Sequence, residues 1–203
     1  TIEDCVKEAT ELANQGVREL IVVAQDTTAY GTDIYGEPKL AELLKELCKV
    51  DGIHWIRTLY TYPDKITHEL LDVIASEEKL VKYLDIPLQH VNGKILKKMN
   101  RKGDKESLIK LIQKIRTKIP DITLRTTFIT GFPGETEEQF CELAEFVKET
   151  RFDRLGCFTY SAEEDTIAAE MPDQVDEQTK VSRMENIMDM QTLIAAEKNE
   201  EKI

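Results

Sequence analysis

The sixteen residues from Arg125 to Phe140, RTTFITGFPGETEEQF, constrain the fold of this chain more than any other stretch. The first six are rich in β-branched and aromatic types, which predicts a strand. Pro133 and Gly134 predict a type II turn, whose second central residue needs a positive φ. Thr136 and Gln139, the latter three positions on, have the spacing of a capping box, which predicts a helix start. In α/β folds ligands bind where a strand ends beside a helix N-terminus.

The rest of the chain alternates helical and strand patterns in the same way. Strands are predicted at residues 20–24, 54–61, 83–88, 122–130 and 155–160. Helices are predicted at residues 1–16, 40–50, 67–74, 104–119 and 136–149, with a short one near Asn92 and a long final one through Ile194. Repeated βα units predict an α/β fold with a parallel sheet, either a flat doubly wound sheet or a curved partial barrel. We expect one domain over residues 1–203.

The first predicted element is a helix capped by Thr1, whereas a βα repeat begins with a strand. We therefore expect the natural protein to be longer at its N-terminus. The final segment, EKNEEKI, stops inside a helical pattern, which suggests a C-terminal neighbour as well.

Composition and charge limit the classes of function. Hydrophobic residues make up 41% and charged residues 33%, as in globular proteins in water. No apolar run approaches the roughly 20 residues that span a membrane, and we predict a cytoplasmic protein without a membrane partner. The net charge of -12 argues against nucleic-acid binding by this segment and suits a basic protein partner.

The cysteines stand singly in the sequence. They are Cys5, Cys48, Cys141 and Cys157. Without a C-x-x-C pair, we expect buried thiols in a reducing compartment and no metal site made from these residues alone.

Polar side chains follow every predicted strand. The groups are Gln25–Tyr30, Tyr60–Asp64, Gln89–His90, Gly131–Glu135 and Tyr160–Glu164. Because the carboxyl ends of parallel strands meet at one face, these groups predict a pocket for a small polar ligand.

Three charged or titratable residues each allow two interpretations. Asp26 is either a site carboxylate or a turn residue, and His90 is either a base or ligand or a hydrogen-bonded loop residue. Asp85 lies inside the third strand, where a buried carboxylate needs a partner. Arg125 and Arg57 are the candidates for a buried ion pair, and that structural role is the preferred one.

Several segments together resemble the radical S-adenosylmethionine methylthiotransferases. They are IVVAQDTTAYG, RTLYTYPDKI, YLDIPLQHVNGKILKKMNRKG, RTTFITGFPGETEEQF and FDRLGCFTYSAEEDT, and they cover essentially the whole chain. QDTTAYG, DIPLQH and FDRLGCFTYS resemble the branch that acts on a ribosomal protein more than the branch that acts on tRNA.

The resemblance implies a partial (β/α)6 barrel that lacks its first strand. It implies S-adenosylmethionine beside a 4Fe-4S cluster, with a second such cluster supplying sulfur. The implied activity adds a methylthio group to the β-carbon of an aspartate in a small-subunit ribosomal protein.

The resemblance also implies roles for individual residues. Gln25, Asp26 and Thr27 match positions that hold the methionine amino group. Gln89 falls near the ribose, and Arg101 suits the methionine carboxylate. The remaining implied cofactor-binding residues, at the adenosyl and adenine side, are Thr127, Gly131, Glu135, Tyr160 and Ser161.

The family's cluster loop, C-x3-C-x2-C, is missing from this sequence. We therefore expect the chain to be an inactive core, without the cluster domain and the small C-terminal β domain, that holds neither cluster itself. Two alternatives remain open at this stage, a tRNA adenosine methylthiotransferase and a non-catalytic α/β interaction domain.

Overall fold

A computed structural model describes residues 1–201 as a mixed α/β protein with parallel sheets. The chain divides into two compact units. One comprises Thr1–Ile86 with Gln113–Thr123, and the other comprises Pro87–Ile112 with the residues from Leu124 onward. Within the described part of the chain, no helix is both long and apolar enough to cross a membrane.

The helices and strands alternate as the sequence predicts. Their order is α1 (Ile2–Asn14), β1 (Glu19–Val22), α2 (Leu40–Cys48), β2 (Trp55–Thr58), α3 (His68–Ser76), β3 (Tyr83–Gln89), α4 (Gly93–Lys98), α5 (Lys105–Lys118), β4 (Thr123–Thr130), α6 (Glu137–Thr150), β5 (Arg154–Thr159) and α7 (Glu177–Glu200). Short 3-10 turns lie at Thr27–Ala29 and Pro63–Lys65. Each predicted strand ends within three residues of the observed one.

The first unit is built around the parallel pair β1 and β2. Glu19 pairs with Trp55, and the register continues to Val22 and Thr58. The apolar face of α2 packs against α1, α3 and β2, with Leu44 fully buried. The continuous apolar run at residues 20–24 is typical of a parallel strand covered on both faces, but Ile21 in β1 is 54% exposed. A continuous apolar run therefore does not specify burial on both faces here.

The second unit contains the parallel pair β4 and β5, in a sheet of order β3-β4-β5. Its core is an aromatic cluster in which the Phe128 ring meets Phe146 at 6.3 Å and Phe152 at 6.1 Å, both edge to face. Edge-to-face packing suits the ring quadrupoles and adds to the gain from burial. These rings lie on β4, on α6 and just before β5, so they fix the strand ends that carry the polar residues.

The strand–turn–helix stretch folds as predicted. Glu135 donates its backbone N–H to the carbonyl of Phe132 at 2.9 Å, which closes the turn around Pro133 and Gly134. Gly134 has φ +76°, as the third position of a type II turn requires. The capping box is present, with both Thr136 and its N3 partner hydrogen-bonded to the opposite backbone N–H.

Candidate functional site

A cavity of about 630 Å³ opens at the carboxyl ends of the strands in the second unit. That volume lies in the range of small-molecule sites. Five of the predicted cofactor residues line it, namely Gln89, Arg101, Thr127, Tyr160 and Ser161. Sequence reasoning missed Lys98 at the end of α4 and Met99 just after it, and also Ile167, Ala168 and Met171 from the loop after β5. Those loop residues carry no local motif, so their place follows from the path of the chain alone.

One wall of the cavity is apolar. The rings of Phe132 and Tyr160 meet edge to face at 5.2 Å between centroids. Ile95, Phe132 and Tyr160 form a buried cluster, against which the cavity residues Ile129 and Met171 pack. An apolar wall of this kind can hold a flat heterocycle by burial and ring contact.

Two buried polar atoms in the cavity lining have no hydrogen-bond partner among the described residues. They are Gln89 Oε1 and the Tyr160 hydroxyl. Tyr160 is only 8% exposed, so its hydroxyl without a hydrogen-bond partner destabilises the fold unless a ligand supplies one. Gln89 also has φ +68°, a strained conformation that places its side chain at the strand end.

These features fit the ligand that the resemblance implies. S-adenosylmethionine has an adenine ring for the apolar wall, together with ribose hydroxyls and a charged methionine end for polar partners. Arg101 supplies a cation, and its Nη1 is held by the carbonyl of Pro87 at 2.9 Å. The donor set of the cavity is therefore suited to this molecule.

The turn after β4 brings bare backbone close to two lysines. Gly131 has φ +72°, and a Cβ built there would lie 2.2 Å from Lys180 Cγ. A Cβ on Gly134 would lie 2.3 Å from Lys98 Nζ, which itself donates to the carbonyl of Pro133 at 3.1 Å. Both glycines have a positive φ, which favours glycine, and at Gly131 the stem of the Lys180 side chain also leaves no room for a Cβ.

Glu135 takes part in a buried polar network. Its Oε1 accepts from Arg183 Nη1 at 2.8 Å, and its Oε2 accepts from the Gly131 N–H at 3.1 Å. Arg183 also donates to Glu137 Oε2 at 3.0 Å. The Glu135 side chain is fully buried and does not line the cavity. The structure thus uses this carboxylate to support the turn, and direct contact with a cofactor stays a prediction.

His90 belongs to the same network. Its Nδ1 accepts from the Asn92 N–H at 3.0 Å, so a neutral His90 ring carries its proton on Nε2. That Nε2 lies 3.3 Å from Glu135 Oε2, although the geometry falls short of a hydrogen bond. Of the two interpretations, the buried and hydrogen-bonded one describes His90.

The other three predicted cofactor residues belong to the first unit. Gln25 is exposed. Thr27 is buried, and its hydroxyl donates to the carbonyls of Leu59 at 2.9 Å and Tyr60 at 3.2 Å. This hydroxyl stabilises the turn that follows β1. A role of these residues in holding the methionine amino group stays a prediction.

Asp26 has two partners in the first unit. Lys65 Nζ donates to its Oδ2 at 2.5 Å, and the Thr28 hydroxyl donates to its Oδ1. Partial burial works to raise the pKa of Asp26, but the hydrogen bonds from Lys65 and Thr28 outweigh it and lower the pKa below 3.8. Asp26 is therefore held as a carboxylate.

Asp85 is fully buried, and its Oδ2 accepts from the backbone N–H of Tyr60 at 3.1 Å. Arg57, one of the two cations considered for it, pairs with Glu19 at 3.0 Å. Tyr60 has φ +56°, so Asp85 holds a strained residue at the end of β2.

The cysteines are free and lie on different elements. Cys48 and Cys157 are buried, and burial raises the pKa of their thiols to about 11 and about 12. Cys141 is exposed on α6, so the expectation of a buried thiol is wrong for that residue. Across residues 1–201, no three His, Cys, Asp or Glu side chains are grouped so as to hold a metal ion.

Known proteins resemble the chain along its whole length. It is 54% identical over 203 residues to the ribosomal protein uS12 methylthiotransferase RimO of Alkaliphilus oremlandii, covering 46% of that relative. It is 52% identical over 201 residues to RimO of Clostridioides difficile, covering 45% of it. The chain thus spans about half the length of the curated relatives it matches. These similarities confirm the resemblance to the ribosomal-protein branch of the methylthiotransferases.

Solved structures show the fold. Coproporphyrinogen III oxidase HemN of Escherichia coli, a radical SAM enzyme, superimposes with a TM-score of 0.70 at 21% identity, over 94% of this chain and 46% of that one. The radical S-adenosylmethionine methyltransferase TsrM of Kitasatospora setae gives 0.62 at 16% identity, over 78% and 31%. The predicted partial radical SAM barrel is therefore confirmed. Residues 1–147 also match the Radical SAM superfamily, and the chain belongs to that superfamily.

Proposed function

We propose that this chain is the core of a methylthiotransferase that modifies ribosomal protein uS12. In the complete protein, a methylthio group would be added to the β-carbon of a uS12 aspartate. The observation that carries the proposal is the 54% identity to RimO of Alkaliphilus oremlandii over the whole chain. Membership of the Radical SAM superfamily implies S-adenosylmethionine and a 4Fe-4S cluster as cofactors. A second cluster as sulfur source, and ligands for both clusters outside these 203 residues, are part of the proposal.

The cavity residues have distinct parts in this function. Arg101 is suited to the methionine carboxylate, and Gln89 and Tyr160 offer unsatisfied polar atoms to the ribose or the methionine end. Thr127 on β4 and Ser161 after β5 add hydroxyls. Bound in this cavity, S-adenosylmethionine would supply the radical chemistry that activates the substrate carbon. The protein's part is to position this cofactor and to exclude water from it.

Residues outside the cavity support that geometry. Glu135 and Arg183 hold the turn after β4, and Asp26 and Thr27 hold the turn after β1. We include Gln25, Asp26 and Thr27 as partners of the methionine amino group because they match the family positions. The proposal places the complete protein in the cytoplasm, where ribosomal proteins are available, with no nucleic-acid or membrane partner for this segment.

The test is a modification assay with the full-length protein. Purified uS12 and tRNA would each be incubated with the reconstituted enzyme, S-adenosylmethionine and a reductant. Mass spectrometry should find one methylthio group on a uS12 aspartate and none on tRNA. Modification of tRNA without modification of uS12 would contradict the proposal and favour the tRNA branch.

The matched variants are Gln89→Leu and Ile34→Leu. Gln89→Leu removes the amide whose oxygen has no hydrogen-bond partner in the described part of the cavity. Ile34→Leu changes an exposed residue of the first unit. S-adenosylmethionine binding, measured by equilibrium dialysis on the cluster-loaded protein, should weaken by about tenfold for Gln89→Leu, since a polar contact is worth on the order of 1.4 kcal/mol. Equal affinity of the two variants for S-adenosylmethionine would show that Gln89 does not contribute to binding it.

A further inference from the structure

His90 is a buried side chain next to the cavity that has no role in the proposed function. It directly follows Gln89, the last residue of β3, whose side chain lines the cavity. The His90 side chain is fully buried and does not line the cavity. An imidazole away from water needs partners for both of its ring nitrogens, so those partners show what this residue does.

Gln89 needs support from its neighbours because its backbone is strained. Its φ of +68° lies in the left-handed region, which is unfavourable for a residue with a side chain. Such strain persists only where the surrounding structure fixes the chain. On the preceding side, Leu88 is buried and donates its N–H to the Thr126 hydroxyl at 3.4 Å. On the following side, the residue that is fixed is His90.

The Nδ1 atom of His90 links this residue to the start of α4. It accepts a hydrogen bond from the Asn92 N–H at 3.0 Å. The Asn92 side chain in turn caps α4 by accepting from the Lys94 N–H at 3.0 Å. This link joins residues two positions apart and orders the chain between β3 and α4.

The Nε2 atom of His90 lies close to Glu135. Because Nδ1 is an acceptor, the proton of the neutral ring is on Nε2. Among residues 1–201 this Nε2 has no hydrogen-bond partner, but it lies 3.3 Å from Glu135 Oε2, and both side chains are fully buried. Away from water, an N–H dipole is attracted to a carboxylate oxygen at this distance even where its orientation falls short of a hydrogen bond.

Glu135 is itself held in place by other partners. Its Oε1 accepts from Arg183 Nη1 at 2.8 Å, and its Oε2 accepts from the Gly131 N–H at 3.1 Å. The carboxylate is therefore a fixed point to which the His90 ring is attracted. Through this contact the chain that follows Gln89 is tied to the turn after β4 and to α7.

We propose that His90 is a positioning residue for the cofactor, and that it acts through the contact of its Nε2–H with Glu135. This contact fixes the chain after Gln89 and keeps the Gln89 amide at the cavity. The inference rests on the proposed function, which supplies S-adenosylmethionine as the ligand of the cavity. His90 does not touch that ligand, so its effect on binding passes through Gln89.

Two variants of the full-length protein separate the two ring nitrogens. His90→Asn places an amide oxygen near the position of Nδ1, where it can accept from the Asn92 N–H, but no donor reaches Glu135. His90→Gln places an amide nitrogen near the position of Nε2, where it can donate to Glu135, but the Asn92 N–H loses its acceptor. The control is His54→Asn, which makes the same change at an exposed residue of the first unit.

The first readout is S-adenosylmethionine affinity, measured by equilibrium dialysis on the cluster-loaded proteins. We expect His90→Asn to bind about tenfold more weakly than the wild type, which is the loss expected when Gln89 no longer contributes. His90→Gln should recover most of that affinity, to within about threefold of the wild type, and His54→Asn should stay within about twofold. Equal weakening of both His90 variants, or none in His90→Asn, would overturn the proposal.

A double variant tests whether the effect passes through Gln89. If it does, Gln89→Leu combined with His90→Asn should bind no more weakly than Gln89→Leu alone. Two independent losses of about tenfold would instead multiply to about a hundredfold. A loss of that size would show that His90 does not act through Gln89.

Turnover separates a positioning role from a general loss of folded protein. In the modification assay His90→Asn should raise the KM for S-adenosylmethionine about tenfold with kcat close to that of the wild type, because Gln89 contributes to binding and not to the chemical step. Partial unfolding would lower kcat in proportion to the active fraction and leave KM unchanged, and that result would contradict the inference.

The same assay separates this inference from the function on which it rests. If the wild type modifies uS12 and His90→Asn has an unchanged KM, the positioning role is refuted and the function stands. If S-adenosylmethionine binding depends on His90 as described but the wild type does not modify uS12, the proposed function fails and the positioning role stands.

Discussion

The ion pair between Glu135 and Arg183 is a buried interaction that supports the turn after β4. Both side chains are buried, and the Gly131 N–H shares the same carboxylate. Removing one member leaves an uncompensated buried charge, which costs about 3–5 kcal/mol. We therefore predict that Arg183→Met lowers the free energy of unfolding by this amount in urea titrations. The double variant with Glu135→Gln should recover part of the loss, because neither charge then remains.

The control for this prediction is Arg151→Met. Arg151 pairs with Glu197 at 2.7 Å, but both side chains are exposed. Exposed pairs contribute little to stability because water solvates the separated charges well. If Arg151→Met destabilised the protein as much as Arg183→Met, the buried network would not have the role assigned to it.

Asp26 makes the stability of the first unit depend on pH. Its pKa is lower in the folded protein than the ordinary 3.8, through hydrogen bonds from Lys65 and Thr28 that outweigh the effect of burial. A carboxyl whose folded-state pKa is lowered stabilises the fold above about pH 4 and loses that contribution as the pH falls through the folded-state value. We predict that Asp26→Asn is less stable than the wild type at pH 7, by about 1 kcal/mol or less, and that the difference vanishes at acid pH.

Urea midpoints between pH 2 and pH 7 would measure this difference. Asp51→Asn is the matched control, since Asp51 is exposed in the same unit and has no ion-pair partner among the described residues. A difference between Asp26→Asn and the wild type that stayed constant with pH would argue against the proposed linkage.

Among the elements, α7 departs most from its sequence pattern. Its sequence carries the apolar residues Val181, Met184, Ile187, Met188, Met190 and Ile194, yet Val181 is 39% exposed. The buried stripe instead comprises Lys180, Arg183, Ile187, Gln191 and Ile194. The long stems of Lys180 and Arg183 cover apolar surface while their charged ends reach Glu177 and Glu135. A helix with polar residues on its buried face cannot be oriented from hydrophobicity alone.

The stripe gives a prediction for the packing of α7 on β5 and α6. Ile187 is fully buried at its centre, so Ile187→Ala should cost about 2–5 kcal/mol of unfolding free energy. Leu193→Ala on the same helix should change stability by no more than about 0.5 kcal/mol, because Leu193 is 67% exposed. Equal losses in urea unfolding would mean that α7 is rotated relative to the structure described above.

At the scale of the whole molecule, the sequence predicted what depends on near neighbours in the chain. The N-cap at Thr1, the capping box at Thr136 and the turn at Gly134 involve residues within three positions, and all are confirmed. The pairing of Glu135 with Arg183 spans 48 residues and follows from the path of the chain. The resemblance located five residues of the cavity lining, because family motifs retain tertiary information that local patterns lack. Ile167, Ala168 and Met171, in the loop after β5, were not predicted because no motif includes them.

The positions of the cysteines bear on whether the 203-residue chain can bind a cluster by itself. Its four cysteines lie on α1, α2, α6 and β5, whereas a 4Fe-4S cluster requires several thiolates at one point. We predict that anaerobic reconstitution with iron and sulfide leaves no stoichiometric cluster on this chain. Absorbance at roughly 420 nm, where cysteine-ligated clusters absorb, and iron analysis after gel filtration would measure the outcome. The full-length protein, treated in parallel, is the control in which the proposed function predicts a cluster. Stoichiometric iron and sulfide on the 203-residue chain would refute the assignment of cluster binding to residues outside it.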